Sequence, residues 1–442
     1  MKRVTSMLKR GSIIFCILLA MGSRLYAQSD STSALPSVWD LQTCLDYAKK
    51  NNITLNSMRL SASTREQDLL QSRAARYPDL AGNASQDLSH YTSSGVSTST
   101  NVGLSSSVTL YAGGYLNNDI KSKQLSLQAA NLDVAAAEND VTLQITQAFL
   151  NILLAKENIL YYEDLVTTTQ SQVTQGQQRF DAGTLAQKDL LELQATLAAD
   201  RYSLVLAENT LRQNTLVLKQ ILQLPTGAPF DVKSTDSVST SPVITPLKEA
   251  EDIALKSRPE VKSSELGVQV QQVELEKIKS GLRPTLSLGG SLGTNYSGNA
   301  SGNYFPQLNN NFYQQLGLSL AVPILDRKVT RTNTEKAKIA INQAELSLQD
   351  TKTALSQNVE QAYINVQNAQ SQYSAAAEQL KFTTESFRIA NEQLKIGVYN
   401  MVDYLQQKNL YVQAQQSYIQ AKYSEALYTK IYNFYLGIPV TE

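Results

Sequence analysis

The sequence predicts a mainly α-helical protein with a smaller β part, built from two copies of one structural unit. Three observations support this fold class: an internal repeat, two long stretches without proline, and four segments in which apolar and small polar residues alternate. Each copy reads as a helix, two strands, a very long helix and a shorter helix. Because such helices and strands normally belong in different solvents, the function has to account for both.

The repeat is defined by identical residues at two constant offsets. At an offset of 206 residues the matches are Ala48, Lys50 and Pro78 with Ala254, Lys256 and Pro284. At an offset of 214 they are Gln147, Ala148, Asn151, Gly183, Asp189 and Pro225 with Gln361, Ala362, Asn365, Gly397, Asp403 and Pro439. The change in offset falls between the two strands, so only a hairpin loop differs in length. We therefore assign 28–52 to an N-terminal segment, 53–225 to repeat 1, 226–258 to a linker and 259–439 to repeat 2.

Composition argues against several classes of protein. The 442-residue chain has a formal net charge of zero and no cluster of Lys and Arg beyond residue 10, so nucleic acid is not an expected partner. His90 is the single histidine. Neither a metal site of His, Cys and carboxylates nor a Ser/His/Asp triad can be assembled. We predict no metal, no cofactor and no enzymatic activity.

The N-terminus has the order of a secretory signal. Basic residues precede an apolar run from Ile13 to Met21, and a small residue, Ala27, follows shortly afterwards. This order predicts a signal peptide over 1–27. The apolar run is shorter than the roughly 20 residues that a membrane-spanning helix needs. Since Cys44 would be the one cysteine left after cleavage, no internal disulfide is expected.

Two stretches can be helical almost throughout. No proline lies between Pro78 and Pro225, and glycine is rare in the helical part of that stretch, as it is before Pro439 in the second copy. Proline costs a helix about 3 kcal/mol and glycine about 1 kcal/mol, so their absence matters. The interruptions near Gly183 and Gly397 divide the stretches into helices over about 114–180, 187–222, 328–394 and 401–436. The longer ones reach about 95 Å.

The shorter helices have a coiled-coil pattern. Leucine recurs every seven residues from Leu190 to Leu218, which predicts a seam between packed helices. The second copy keeps the period with different residues, which are Leu405, Val412, Ile419 and Ala426. Tyr404, Tyr411 and Tyr418 form the adjacent row, which we also interpret as helix packing.

The alternating segments predict strands over about 79–91, 101–111, 285–296 and 313–324. Each has an apolar face and a small polar face, a pattern typical of outer-membrane barrel strands that soluble sandwiches share. Loops over 93–100 and 297–311 join each pair. Four strands cannot close a barrel, and lipid does not tolerate open strand edges. Either the strands lie outside a membrane, or several chains close one barrel; three chains would give twelve strands.

The two helix turns have similar sequences. The first is Arg179-Phe180-Asp181-Ala182-Gly183-Thr184-Leu185, followed by Asp189, and the second is Gln393-Leu394-Lys395-Ile396-Gly397-Val398-Tyr399, followed by Asp403. The two copies also share a proline before the strands, Pro78 and Pro284, and a proline at the end of the repeat, Pro225 and Pro439. Through the repeat, these prolines and the two turns, almost the whole mature chain resembles the TolC-type outer-membrane efflux channel family.

The resemblance implies a homotrimer with a twelve-stranded β-barrel in outer-membrane lipid and a coiled-coil α-barrel in the periplasm. A mixed belt around the tunnel would include the region near Trp39, the linker 226–258 and the C-terminus. Such proteins are passive exit ducts that contact a periplasmic adaptor (membrane fusion) protein, and an inner-membrane pump supplies the energy. The resemblance does not identify the exported substrate. Type I protein secretion is therefore an alternative function to efflux.

Two groups of site residues follow from the resemblance. The tips would meet the adaptor through Arg179, Phe180, Gly183, Thr184, Leu185, Gly397 and Val398. Asp403 would ring the periplasmic constriction, and Asp189 matches an aspartate that helps latch the closed state in family members. The tyrosine and arginine that serve there as latch partners correspond to Leu394 and Tyr399, so a gate here would close differently. A simpler role for Asp403 is a solvated carboxylate that helps to begin a helix.

Two hypotheses from other protein classes compete with the channel hypothesis. A periplasmic coiled-coil scaffold or adaptor would also have long helices, but one helical hairpin with soluble β-domains is expected there, not a doubled unit. An exported enzyme would need a nucleophile with a base, and no such constellation is present.

Overall fold

The computed structural model describes residues 36–92, 95–233 and 244–438. Repeat 1 contains α1 (Leu41–Asn51), α2 (Ile53–Ala74), β2 (Ala81–Tyr91), β3 (Gly95–Ala112), α3 (Tyr115–Asp181) and α4 (Gln187–Leu222). Repeat 2 contains α5 (Leu247–Ser257), α6 (Pro259–Lys279), β5 (Thr285–Ser297), α7 (Tyr304–Asn310), β6 (Tyr313–Ala321), α8 (Val329–Lys395) and α9 (Met401–Tyr435). Apart from α7 the order is the same, and the predicted duplicated, mainly helical fold class is confirmed. The predicted signal peptide, 1–27, lies outside the described residues.

The four long helices dominate the fold. α3 and α8 have 67 residues each, about 100 Å, and α4 and α9 have 36 and 35. α4 packs along α3, and α9 packs along α8. The predicted seam is present, because Leu190, Leu197 and Leu218 are buried in repeat 1 and Ile419 and Ala426 in repeat 2.

Each repeat begins with two helices rather than the one that the sequence indicates. Asn52 separates α1 from α2, and its Oδ1 accepts a hydrogen bond from the Leu55 amide at 3.1 Å. In repeat 2, Arg258 occupies the equivalent place, and Pro259 begins α6 at a position where a missing N–H costs nothing. The chain can therefore turn at both sites without leaving helix ends unsatisfied.

The strands form one antiparallel sheet in the order β2-β3-β5-β6. The two hairpins meet through β3 and β5, where Leu104 pairs with Leu292. β2 and β6 are the edges of the sheet. The exposed leucines that have a partner in the register all project from the face on which Leu104 lies, while serine, asparagine and glycine dominate the opposite face.

Three details of the hairpins differ from expectation. β3 begins at Gly95, so the loop predicted over 93–100 is wrong; despite low β-propensity, Ser97 pairs with Ser89 of β2 and Ser99 with Ser297 of β5. The loop predicted over 297–311 contains helix α7. β6 ends at Ala321, and Pro323, which lacks an N–H, follows two residues later.

A small mixed layer surrounds the helices near their middle. β1 (Val38–Trp39) pairs in parallel with β4 (Asp231–Val232), and Trp39 is buried against Tyr47 and Phe230 at ring separations of 5.2 and 5.5 Å. The same apolar cluster includes Ile145 of α3 and Ile419 of α9. It therefore joins the two repeats at the position expected for the belt. Within the described residues, no helix is long and apolar enough to cross a membrane.

Candidate functional site

The first tip, residues 179–185, is a left-handed helix ending. Gly183 has φ of +74°, a conformation in which a side chain is strained. Its amide donates to the Phe180 carbonyl at 2.8 Å, and the Thr184 amide donates to the Arg179 carbonyl at 2.8 Å. This pair of bonds is a Schellman motif, which satisfies the last carbonyls of α3. Leu185 then turns back toward Gly176, where the absence of a side chain leaves room.

The second tip, residues 393–399, has the same geometry. Gly397 has φ of +79°, and its amide donates to the Leu394 carbonyl at 3.1 Å. The Val398 amide donates to the Gln393 carbonyl, also at 3.1 Å. The two glycines are therefore required by the turns themselves, whatever else the tips contact.

The tips present apolar side chains to solvent. Val398 is 71% exposed and Ile396 is 75% exposed, while Phe180 at the first tip is 37% exposed. Because these apolar side chains are exposed at the far end of a long coiled coil, they do not stabilise the fold of the chain. Of the expected docking residues, Phe180, Gly183, Thr184, Gly397 and Val398 are exposed, while Arg179 and Leu185 are half-buried.

Arg179 connects one tip to the other. Its Nη1 donates to the Leu394 carbonyl at 3.4 Å, close to the C-terminus of α8. A cation is favourable there because the helix dipole is negative at that end. Arg179 therefore has a contact within the chain in addition to the docking role expected from the resemblance.

Asp189 and Asp403 occupy equivalent positions in the first turns of α4 and α9. Asn400 caps α9: its Oδ1 accepts from the Asp403 amide at 2.8 Å, and its Nδ2 donates to Asp403 Oδ2. The first bond is an N-cap, and the second joins the side chains of the cap and the third helical residue. The Asp403 side chain remains exposed and Asp189 is half-buried; within the described residues no ion pair or hydrogen bond joins them.

Leu394 and Tyr399, proposed from the resemblance as gate residues, pack into an apolar cluster. Its buried members are Leu193, Ala390, Met401 and Tyr404. Because Leu193 belongs to α4 and the others to α8 and α9, the cluster joins the two helical hairpins just above the tips. At this position the two hairpins are joined by apolar packing.

A buried ion pair lies about three turns above the start of α4, and our sequence analysis did not identify it. Lys408 Nζ lies 2.7 Å from Asp200 Oδ2 and 2.7 Å from Thr169 Oγ1, and the Lys408 side chain is 2% exposed. Thr169 belongs to α3, Asp200 to α4 and Lys408 to α9. Burial lowers the pKa of Lys408, while the hydrogen bond and negative charge of Asp200 act in the opposite direction.

Aromatic side chains lie on both sides of this ion pair along α9. Tyr404 is fully buried, and its hydroxyl accepts a hydrogen bond from Gln172 Nε2 of α3. Burial raises the pKa of Tyr404 to about 12. Phe387 of α8 lies 5.7 Å from Tyr404 and stacks on Tyr411 at 5.1 Å. The second hairpin is thus held against α3 by polar and apolar contacts together.

The sequence contains a signal for the ion pair. Leu193, Asp200 and Ala207 lie at heptad spacing, so a carboxylate occupies a row that is otherwise apolar and buried. A polar residue in such a row often sets the register of packed helices. Lys408 follows Tyr404 by one turn, on the same buried face of α9.

Comparisons with known proteins support the channel architecture. The sequence profile of the outer membrane efflux protein family matches residues 44–223 and 252–427, more than half of the chain. The search of curated proteins gives no significant match. Within the described residues, no group of three His, Cys, Asp or Glu could hold a metal ion.

Three solved channels illustrate the structural similarity. CusC superposes with a TM-score of 0.79 at 18% identity, covering 90% of this chain and 91% of CusC. The Campylobacter jejuni outer membrane channel CmeC gives 0.75 at 18% identity, with 94% and 90% covered. The Vibrio cholerae outer membrane protein VceC gives 0.77 at 13% identity, with 90% and 96% covered.

These matches confirm the predicted family resemblance, the location in the outer membrane and the interpretation as a channel rather than an enzyme. The chain belongs to the outer membrane efflux protein family and is an outer-membrane efflux channel.

Proposed function

We propose that three copies of the chain form an exit duct that passively conducts substrates delivered by a periplasmic adaptor and an inner-membrane pump. The observation that supports this most directly is the four-stranded sheet, which has two free edges and one leucine-rich face. Free strand edges are not tolerated in lipid. Neighbouring chains could cover them, and three chains would provide twelve strands.

The long helices also have faces suited to a neighbouring copy. α4 exposes Leu191, Tyr202 and Leu216, and the part of α8 at the same height above the tips exposes Ile364, Phe382 and Ile389. α4 packs on α3 and α8 packs on α9, so these apolar residues lie on the outer sides of the two hairpins. We propose that α4 of one chain meets α8 of the next, which would continue the helical wall.

The basic test is assembly and conduction. Protein extracted from outer membranes in detergent should migrate as a heat-resistant trimer and give discrete conductance steps in planar bilayers. A monomer that is soluble without detergent, or a trimer that never conducts, would contradict the duct. The competing scaffold predicts the former result.

The position of the interface can be tested by cysteine cross-linking. Leu191 lies eight residues after Gly183, and Ile389 lies eight residues before Gly397, so both lie at the same height above the tips. Leu191→Cys/Ile389→Cys should form disulfides between chains, yielding dimers and trimers on denaturing non-reducing gels. Each single variant is the matched control, and Cys44 does not compete because it is fully buried. Cross-links confined within one chain would reject this arrangement.

We also propose that the tips contact the adaptor. The exposed apolar side chains at 180, 396 and 398 support this assignment, because docking would remove them from water. Gly183 and Gly397 would act through the turn geometry, and Arg179 by holding the two tips together.

Introducing a charge at the second tip should uncouple export. Val398→Asp should reduce adaptor co-purification and cellular efflux at least about tenfold, since an uncompensated charge in an interface costs well over 1.4 kcal/mol. Gln379→Asp is the matched control: it adds the same charge at an exposed site of α8 about 27 Å from the turn. Both trimers should conduct normally in bilayers. Equal efflux by the two variants would argue against docking at this tip.

The narrow periplasmic end is proposed to lie at Asp403. Its exposed carboxylate in the first turn of α9 is repeated in each chain, so a trimer would present three of them around the axis. Such a ring would favour cations at the opening of the duct.

A further inference from the structure

The two faces of the sheet differ in chemistry throughout its described length. The cross-strand register places Leu104, Leu292 and Gln314 in one row, and the next row contains Asn83, Gly103, Gly293 and Tyr313. In outer-membrane barrels the apolar residues face lipid and the polar ones face the interior. The face that contains Asn83 and Tyr313 is therefore the interior face.

The interior face has a single charged side chain, that of Asp87. In the sequence, Asp87 is the one Asp, Glu, Lys or Arg within residues 80–118 and 285–325, which include all four strands. It pairs in register with Ser99 of β3, which pairs with Ser297 of β5. Asp87 lies four residues after Asn83 in β2, and side chains alternate between the two faces of a strand, so both project from the interior face. Its side chain is exposed, and within the described residues it forms no hydrogen bond or ion pair.

The location of Asp87 along the strand places it in the outer half of the barrel. β2 begins at Ala81 on the side of the helices and ends at Tyr91 beside the hairpin turn. Asp87 is six residues from the start, about 20 Å along the strand. This position is at the opposite end of the duct from the helical tips.

We propose that Asp87 determines charge selectivity in the outer half of the duct, where three copies form a ring of carboxylates. The proposal rests on the trimeric duct proposed above. It assigns selectivity to a second position, separate from Asp403, with uncharged residues lining the rest of the barrel interior.

The dimensions of a twelve-stranded barrel allow such a ring to act on ions at its centre. Strands about 4.8 Å apart and tilted by about 40° enclose a cylinder of roughly 12 Å radius. An aspartate side chain then ends roughly 8 Å from the axis, within the Debye length of about 10 Å in 0.1 M salt. Three carboxylates at that distance enrich monovalent cations about threefold on the axis, and in 1 M salt the enrichment is nearly abolished.

The test is reversal-potential measurement on single trimers in asymmetric KCl. At about 0.1 M salt, Asp87→Asn should lower the K⁺ to Cl⁻ permeability ratio by up to roughly tenfold, because the ring enriches K⁺ and depletes Cl⁻ about threefold each, and at 1 M it should have little effect. Unit conductance in 1 M salt reports whether the pore itself is intact.

A charge-relocation variant separates electrostatics from local structure. Asn101 is exposed on the same face, where it pairs with Ser85 and Asn295. Asp87→Asn/Asn101→Asp should restore the cation preference, because it returns one carboxylate per chain to the interior.

The outcomes separate the two proposals. A conducting trimer whose selectivity is unchanged by Asp87→Asn at low salt overturns the Asp87 assignment alone. A selectivity loss that Asn101→Asp does not restore also overturns it, because the charge would not be the cause. Absence of conductance in the unmodified protein would overturn the duct, and the Asp87 inference with it.

Discussion

Lys408→Met is expected to destabilise the protein by about 3–5 kcal/mol, because it leaves the Asp200 carboxylate buried without its partner. The Lys408 side chain is 2% exposed and that of Asp200 is 13% exposed, so water cannot replace the lost ammonium group. Thr169 Oγ1, 2.7 Å from Asp200 Oδ2, would be its one remaining partner in the network. The temperature at which the purified trimer dissociates should fall by at least about 5 °C.

The paired variant tests the cause of that loss. Lys408→Met/Asp200→Leu removes both charges and should recover most of the stability, since replacing a buried ion pair by apolar residues is often neutral or stabilising. Lys422→Met is the control, because Lys422 on α9 also pairs with a residue of α3, Glu157 at 2.9 Å, but both side chains are over a quarter exposed. Its cost should stay near 1 kcal/mol or below. If Lys408→Met destabilises the protein no more than Lys422→Met does, the buried pair does not hold the helices together more strongly than an exposed pair.

The same pair should influence opening of the periplasmic end. It joins α9 to α3 and α4, so any movement of the second hairpin away from the first must separate Lys408 from Asp200. The apolar cluster around Tyr404 and Leu193 would have to open with it. We therefore expect both groups of contacts to oppose separation of the two hairpins.

The sequence predicts the long helices well and the irregular segments poorly. Helix ends agree to within one residue, because they depend on local features: glycine at 183 and 397 and the absence of proline from the long helices on either side of each glycine. The start of β3 depends partly on a partner that is distant along the chain, because Ser99 pairs with Ser297 of the other repeat as well as with Asp87 of β2. Helix α7 depends on side-chain contacts with β5, such as that of Thr294 Oγ1 with the Leu308 carbonyl, which no local pattern in the sequence indicates.

The candidate site shows the same division. The glycine turns at the tips follow from sequence, because positive φ is a local requirement. The Lys408–Asp200 pair does not, because the two residues are 208 positions apart and either one alone is compatible with an exposed helix surface. The heptad row containing Leu193 and Asp200 marks the carboxylate as buried, but nothing in the row identifies its partner.

Asp403→Asn is expected to produce the largest change in ion selectivity. If the three carboxylates lie about 5 Å from the axis, they concentrate monovalent cations roughly tenfold in 0.1 M salt, more than the wider ring at Asp87 can. Asparagine keeps an oxygen that can accept from Asn400 Nδ2, so the cap of α9 is preserved while the charge is removed. In bilayers the K⁺ to Cl⁻ permeability ratio should fall by roughly tenfold or more, because the ring enriches K⁺ and depletes Cl⁻, and the trimer's heat resistance should be unchanged.

Asp403→Ala removes the charge and the hydrogen bond from Asn400 Nδ2, but it keeps the backbone amide that Asn400 Oδ1 caps. It should match Asp403→Asn in selectivity and lose about 1 kcal/mol of stability in addition, the usual cost of one side-chain hydrogen bond. Asp189→Asn is the matched control in repeat 1, because Asp189 holds the same place in α4 but is half-buried and has no capping partner at Ala186. A small effect of Asp189→Asn beside a large one of Asp403→Asn would place the narrowest part of the duct at α9. Unchanged selectivity in Asp403→Asn would instead leave Asp403 with the capping role alone, and the constriction would have to lie elsewhere.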